Sequence, residues 1–279
     1  MKVGFHYAAG PALAARLAAR PGLEVTVCPE EDEAGLHAAM REAEVLWHVL
    51  RPCTAELIAA SPKLRLIQKI GVGVNTIALD AAAARGIAVC NLPGTNAPAV
   101  AELTLLLMLA TLRRLPAFDA GLRAGQWAPT PATQDALGEL GGRTVGLVGH
   151  GAVPRALAPM LRAIGCRILY TAPTAKPDPV GDYRTLPALL AESDIVSLHL
   201  PLTPATENLI DAAALARIQP GAILINTARG GLVHPQALHA ALASRQLAAA
   251  GLDVFAEEPA PPDNPLFALP NVVCTPHLG

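Results

Sequence analysis

The chain has 279 residues, 52% hydrophobic and 16% charged, with a formal net charge of −2. That length is close to twice a domain of roughly 150 residues, and the small charge with no basic run excludes an electrostatic binder of nucleic acid or anionic membrane. Five scattered cysteines without a CxxC pair imply neither a disulfide framework nor a zinc site, and the longest apolar run, 103–111, is far short of the roughly 20 residues of a membrane span, so a cytoplasmic protein is expected.

Short apolar runs at 3–7, 23–27, 44–50, 64–68 and 87–90 predict strands, with helical stretches between them. After Asn91 the rhythm gives way to one long helix over 97–114, a helical patch at "GLRAGQW" and a polar loop over 129–139. Strands return in "RTVGLVG", "CRILYT", "DIVSLHL", "GAILINT", "LAAAGLDVF" and "NVVCTPH". Strand and helix alternating along almost the whole chain predict the α/β class, with two doubly wound parallel-sheet domains divided at 95/96.

In "TVGLVGHGAVPRALAPML" a strand ends at Gly149 and a helix begins just past Gly151. A turn of this kind binds a dinucleotide: the first glycine allows the sharp bend, the second lets backbone approach the pyrophosphate, and free helix N–H groups meet the anion. Pro154 stands where a third glycine is usual; proline is tolerated in the first helical turn, where its missing N–H has no intrahelical partner. The next strand runs into Thr171, with Lys176 beyond, where an acid would bond the ribose of NAD and repel a 2′-phosphate. The cofactor expected is therefore NAD(P), leaning to NADP(H).

Three polar residues follow apolar strands in the second half: Arg229 in "INTARGGLV", Glu258 in "GLDVFAEEP" and His277 in "VVCTPH". The carboxyl ends of strands in such a sheet face one crevice, where ligands bind. Together the three suit reduction of a 2-keto acid. A guanidinium grips the carboxylate, and a histidine with a carboxylate partner protonates the carbonyl oxygen as hydride arrives.

These motifs, with "VSLHLPLTPATENLI", "GELGGRTVGLVGHGAV", "IGVGVNTI" and "NLPGTNAPAVAE", resemble the D-isomer-specific 2-hydroxyacid dehydrogenases over 64–279. The resemblance implies a flavodoxin-like substrate domain over 1–95, completed by a C-terminal segment beyond this chain, and a Rossmann cofactor domain over 96–279, with the active site in the cleft. It implies catalysis by Arg229, Glu258 and His277, and substrate binding by Arg229 and by the Val72 and Gly73 amides. It further implies cofactor contacts at Gly149, Gly151, Ala152, Val153, Thr171, Thr203, Thr227 and Ala228, and at Asp253 near the carboxamide. No metal is implied. The partner expected is a small 2-keto or 2-hydroxy acid such as glyoxylate, hydroxypyruvate or pyruvate, and a homodimer is expected through the long helix.

Two other readings fit the same scaffold: a dehydrogenase of another small anion, and a cofactor-sensing binding protein like the resembling corepressors. Formate enzymes of this kind lack the acid beside the histidine, so Glu258 argues against that variant of the first. In the N-terminal half, Trp47 or His48, with Leu50 and Arg51, is expected to shape substrate choice.

Overall fold

The computed structural model describes residues 1–127, 130–135, 137–177 and 180–279. The chain divides into two compact units, Met1–Thr95 and Asn96–Gly279.

The first unit carries strands β1 (Lys2–His6), β2 (Glu24–Cys28), β3 (Val45–His48), β4 (Leu66–Lys69) and β5 (Ala88–Cys90). Its helices are α1 (Pro11–Ala18), α2 (Glu33–Met40), α3 (Ala55–Ala59) and α4 (Leu79–Ala84). The starts of α2 and α3 follow from local chemistry. The Asp32 carboxylate accepts from the Gly35 amide at 2.8 Å and the Thr54 hydroxyl from the Leu57 amide at 3.2 Å, each satisfying an amide that has no intrahelical partner. The five strands are parallel in the order β2-β1-β3-β4-β5, so the winding reverses between β1 and β3. Met40, Leu46, Ile58 and Ile67 fill the core.

The second unit opens with α5 (Ala97–Leu112), α6 (Leu115–Arg123) and α7 (Pro131–Asp135). Its strands are β6 (Thr144–Val148), β7 (Arg167–Thr171), β8 (Asp182–Tyr183), β9 (Ile195–Leu198), β10 (Ala222–Asn226), β11 (Leu247–Leu252) and β12 (Val272–Cys274). Between them lie α8 (Ala152–Ile164), α9 (Leu186–Glu192), α10 (Ala212–Arg217) and α11 (Pro235–Ala243). All seven strands are parallel, in the order β12-β11-β10-β9-β6-β7-β8, reversing between β6 and β9.

Every residue of β9 and β10 is buried, as expected of parallel strands covered on both faces, and this is why they read as unbroken apolar runs rather than alternating ones. One face packs Leu224, Leu198 and Leu252 against α10 and α11, the other packs Ile225, Leu147 and Val145 against α5 and α8. Burying each such side chain contributes about 1.5–3 kcal/mol, and Leu147→Ala would remove about 2–5 kcal/mol, because it leaves a cavity between the sheet and α8.

Three local readings differ from the sequence expectation. The long helix stops at Leu112, and Arg114 turns into left-handed backbone, φ 50°. Of "GLRAGQW", only 121–123 is helical, as the end of α6. Within the expected polar loop, residues 131–135 form α7, where Pro131 stands at the helix start, a position proline suits; Pro129 and Ala136 lie outside the described residues. Among the described residues no helix is long and apolar enough to cross a membrane.

Candidate active site

In the second unit the chemistry gathers at the carboxyl ends of three neighbouring strands. β10 ends at Asn226, whose side chain brackets the turn that follows. Its Nδ2 donates to the Arg229 carbonyl at 2.9 Å and its Oδ1 accepts from the Ala228 amide at 3.1 Å. Arg229 then leads into a one-turn 3-10 helix, Gly230–Leu232, and its Nη1 donates to the Ala228 carbonyl at 2.6 Å. A methyl group on Gly230 would lie 1.9 Å from the Phe255 carbonyl carbon, so the Arg229 turn presses directly on the backbone that follows β11. This close approach is what the first glycine after the arginine is for.

Past β11 and β12 stand Glu258 and His277. The His277 Nδ1 lies 2.6 Å from Glu258 Oε2, while Glu258 Oε1 accepts from the Phe255 amide at 2.9 Å. Burial alone would raise the Glu258 carboxyl. The hydrogen bonds from His277 and Phe255, with the charges of His277 and Arg229, outweigh it and hold the group below the usual carboxylate range. Burial also lowers the Arg229 pKa, opposed by the Glu258 charge. The arginine and the carboxylate thus feel each other's charge, so the structure brings Arg229, Glu258 and His277 into one electrostatic neighbourhood.

Asp253 has a place in this arrangement that its sequence position does not reveal. It is fully buried. Its carboxylate accepts from Thr275 Oγ1 at 2.6 Å, from the Leu278 amide at 2.8 Å and from the Gly279 amide at 3.0 Å, while its backbone carbonyl accepts from the His277 amide at 2.8 Å. Asp253 thus clamps the segment that carries His277, whose own backbone is left-handed at φ 55°. The sequence does not single out Asn226 or Thr275. A polar residue closing an all-apolar strand is the one signal that points to Asn226.

The glycine turn lies at the reversal between β6 and β9. Gly149 has φ 125°, and a side chain there would meet the His199 carbonyl oxygen at 2.6 Å, so only glycine fits. Around Gly151 there is open space, and Gly151 caps α8 without any side-chain bond to its first-turn amides. Those amides and that space fit a dinucleotide pyrophosphate. Ala152 and Val153 are the first two residues of α8, and Pro154 is buried at the third. Thr171 closes β7, three strands from β10. Thr203 is occupied locally with Thr206 at 3.1 Å. Thr227 points into the core, its hydroxyl 2.8 Å from that of Thr104 on α5.

Val72 and Gly73 lie in the first unit, in a loop pinned by Asn91 Nδ2 donating to the Val72 carbonyl at 2.7 Å and by the Leu92 amide donating to Gly71. Val72 is exposed. His48, by contrast, is wholly buried, its Nε2 2.6 Å from the Arg51 carbonyl, and Trp47 packs edge-on against Phe5 at 6.0 Å. His48 is thus taken up by the interior of the unit, while Trp47 is only half-buried. Among the described residues no cluster could hold a metal ion.

A family model described as "D-isomer specific 2-hydroxyacid dehydrogenase, NAD binding domain" matches residues 105–279. The D-3-phosphoglycerate dehydrogenase of Mycobacterium tuberculosis is 43% identical over 258 residues, 90% of this chain and 47% of that protein. The chain therefore spans about half the length of such relatives. A hydroxypyruvate reductase of Thermotoga maritima is 40% identical over 90% of this chain and 81% of its own length. The TT0316 protein of Thermus thermophilus superposes with a TM-score of 0.88 at 41% identity, covering 100% of this chain and 89% of its own. On the match over 105–279, the two parallel sheets and the Arg–Glu–His arrangement at the strand ends, this chain belongs to the D-isomer-specific 2-hydroxyacid dehydrogenase family.

Proposed function

We propose that this protein is an NAD(P)-dependent D-2-hydroxyacid dehydrogenase that interconverts a small 2-keto acid and its D-2-hydroxy acid. The observation that carries the reading is the His277–Glu258 contact of 2.6 Å in the electrostatic neighbourhood of Arg229. With Nδ1 held by the carboxylate, the protonated ring keeps its Nε2–H for the substrate carbonyl oxygen. Arg229 binds and polarises the keto acid through its carboxylate. The nicotinamide, when bound, supplies or accepts the hydride. In the reverse direction the neutral ring takes the hydroxyl proton, and Glu258 offsets the imidazolium charge that forms.

Cofactor roles go to the Gly149–Gly151 turn, to the Ala152 and Val153 amides, to Thr171, Thr203, Thr227 and Ala228, and to Asp253 near the carboxamide. The Val72 and Gly73 amides take the substrate carboxylate, as the family resemblance implies. The absence of an acid at Thr171 supports use of NADP(H) at least as well as NAD(H). Relatives named glyoxylate reductase and hydroxypyruvate reductase make those 2-keto acids the first substrates to try. We assign residues 1–95 to substrate and residues 96–279 to cofactor.

Exposed Leu106, Leu109, Leu115, Leu122 and Trp127 on and after the long helix support a homodimer. The five free cysteines fit the cytoplasm. Steady-state reduction of glyoxylate, hydroxypyruvate and pyruvate with NADH and with NADPH tests the reading, beside Arg229→Ala and His277→Ala. Turnover by the wild type that both variants retain would overturn the site. A strong preference for NADH would overturn the cofactor assignment, and a monomer in light scattering the dimer.

A further inference from the structure

At the end of the second unit's sheet opposite to Arg229 and His277 lies a cavity of about 590 Å³, bounded by the starts of β10, β11 and β12 and by the segment after α5. Its size falls within the roughly 300–1,000 Å³ of small-molecule sites. Leu112 and Ile223 give it apolar wall, and three arginines line it: Arg114, Arg143 and Arg245. Among the described residues Asp135 is the single carboxylate in the lining, and none of the three arginines forms an ion pair. The Arg143 Nε donates to the Glu139 carbonyl at 2.6 Å and Arg245 is exposed, so the lining carries an excess of positive charge that an anion would offset.

The backbone gives an independent observation. Arg114 and Arg245 have φ 50° and 62°, two of the four non-glycine residues in the left-handed region among the described residues. Each stands just past the end of a helix, α5 or α11, where glycine or asparagine takes that conformation at less cost. A cation there offsets the helix dipole whatever its φ, so dipole compensation does not by itself account for arginine at both left-handed positions. Strain of this kind concentrates where a side chain has a task.

We propose that this cavity is a second ligand site, taking an organic anion whose phosphate or carboxylate oxygens are held by Arg114, Arg143 and Arg245 and whose apolar body lies against Leu112 and Ile223. The Ala222–Asn226 strand alone separates it from the Arg229 turn by roughly 13 Å at 3.3 Å per residue. It is thus distinct from the dehydrogenase site, and a ligand there would act on turnover only through the sheet.

The test is calorimetric titration of the whole protein, saturated with NADH so that the glycine turn is blocked, with 1-naphthyl phosphate as the probe. Saturable one-site binding that weakens with salt is expected. Arg114→Gly and Arg245→Gly relieve the left-handed strain, so these variants keep the fold while losing the cation, and each should weaken binding about tenfold. No saturable binding to the wild type, or unchanged binding in the double glycine variant, would overturn the proposal. So would binding that appears only on dilution to monomers, because a second copy of the chain then fills the cavity.

Discussion

His48 and His277 both stand at the carboxyl ends of parallel strands, one in each unit, and their surroundings are opposite. His48 closes β3 with Lys69 and His6 beside it in register on the neighbouring strands. It is wholly buried, and desolvation, assisted by the Lys69 charge, pushes its pKa down to about 4. Lys69 Nζ donates to the Val49 carbonyl and His48 meets the Arg51 carbonyl, so both side chains brace one turn of the first unit. His277 instead faces a carboxylate at 2.6 Å. A strand end makes a histidine available, but its neighbours differ: a lysine stands beside His48 and a carboxylate beside His277.

The largest effect that could break this contrast is on turnover. His277→Gln should lower kcat for keto-acid reduction by about 10³-fold, whereas His48→Gln should leave it within a few-fold; steady-state assays giving equal losses would erase the distinction. Next in size, Asp253→Ala leaves Thr275, Leu278 and Gly279 without their acceptor and should cost about 3–5 kcal/mol in urea denaturation. An unchanged midpoint would show that the segment bearing His277 is held otherwise.

Acid titration sharpens the contrast further. An unfolded histidine titrates near pH 6.5 and His48 near 4, so between those values the unfolded chain binds the extra proton. Stability from neutral His48 is fully present above about pH 6.5 and is lost as pH falls towards 4, on the order of 3 kcal/mol. Glu258 has a depressed carboxyl pKa, so its contribution is present above about pH 4.3 and is lost as pH falls through its lower folded value. Urea midpoints measured across pH should therefore lose part of their slope between 6.5 and 4 in His48→Asn, the remainder belonging to His199 and His6, whose burial also lowers their pKa, and keep it in Glu258→Gln. The smallest effect belongs to Pro154→Gly, which should cost less than about 1 kcal/mol by thermal melting and change the KM for cofactor only a few-fold.

The parallel sheets were legible because buried strands and covering helices leave periodic apolar runs. Arg229, Glu258 and His277 were legible because each interrupts or follows such a run. The clamp on Asp253 was not, since two of its carboxylate's three partners are backbone amides 25 and 26 residues away, which any residue but proline supplies. The buried fate of His48 was equally hidden: a strand tells which residues alternate but not that Lys69 and His6 will flank one of them. The arginine cavity draws on residues from 111 to 273 and exists only once the strands are in order.

The two glycines after Arg229 set unequal limits on how this site can be reshaped by mutation. A methyl at 230 meets the Phe255 backbone at 1.9 Å, and backbone cannot step aside. A methyl at 231 meets only the branched tip of Leu202 at 3.0 Å, which another rotamer can clear. A lineage drifting towards new substrates, or a library built to imitate one, therefore has its tolerant position at 231 and almost none at 230.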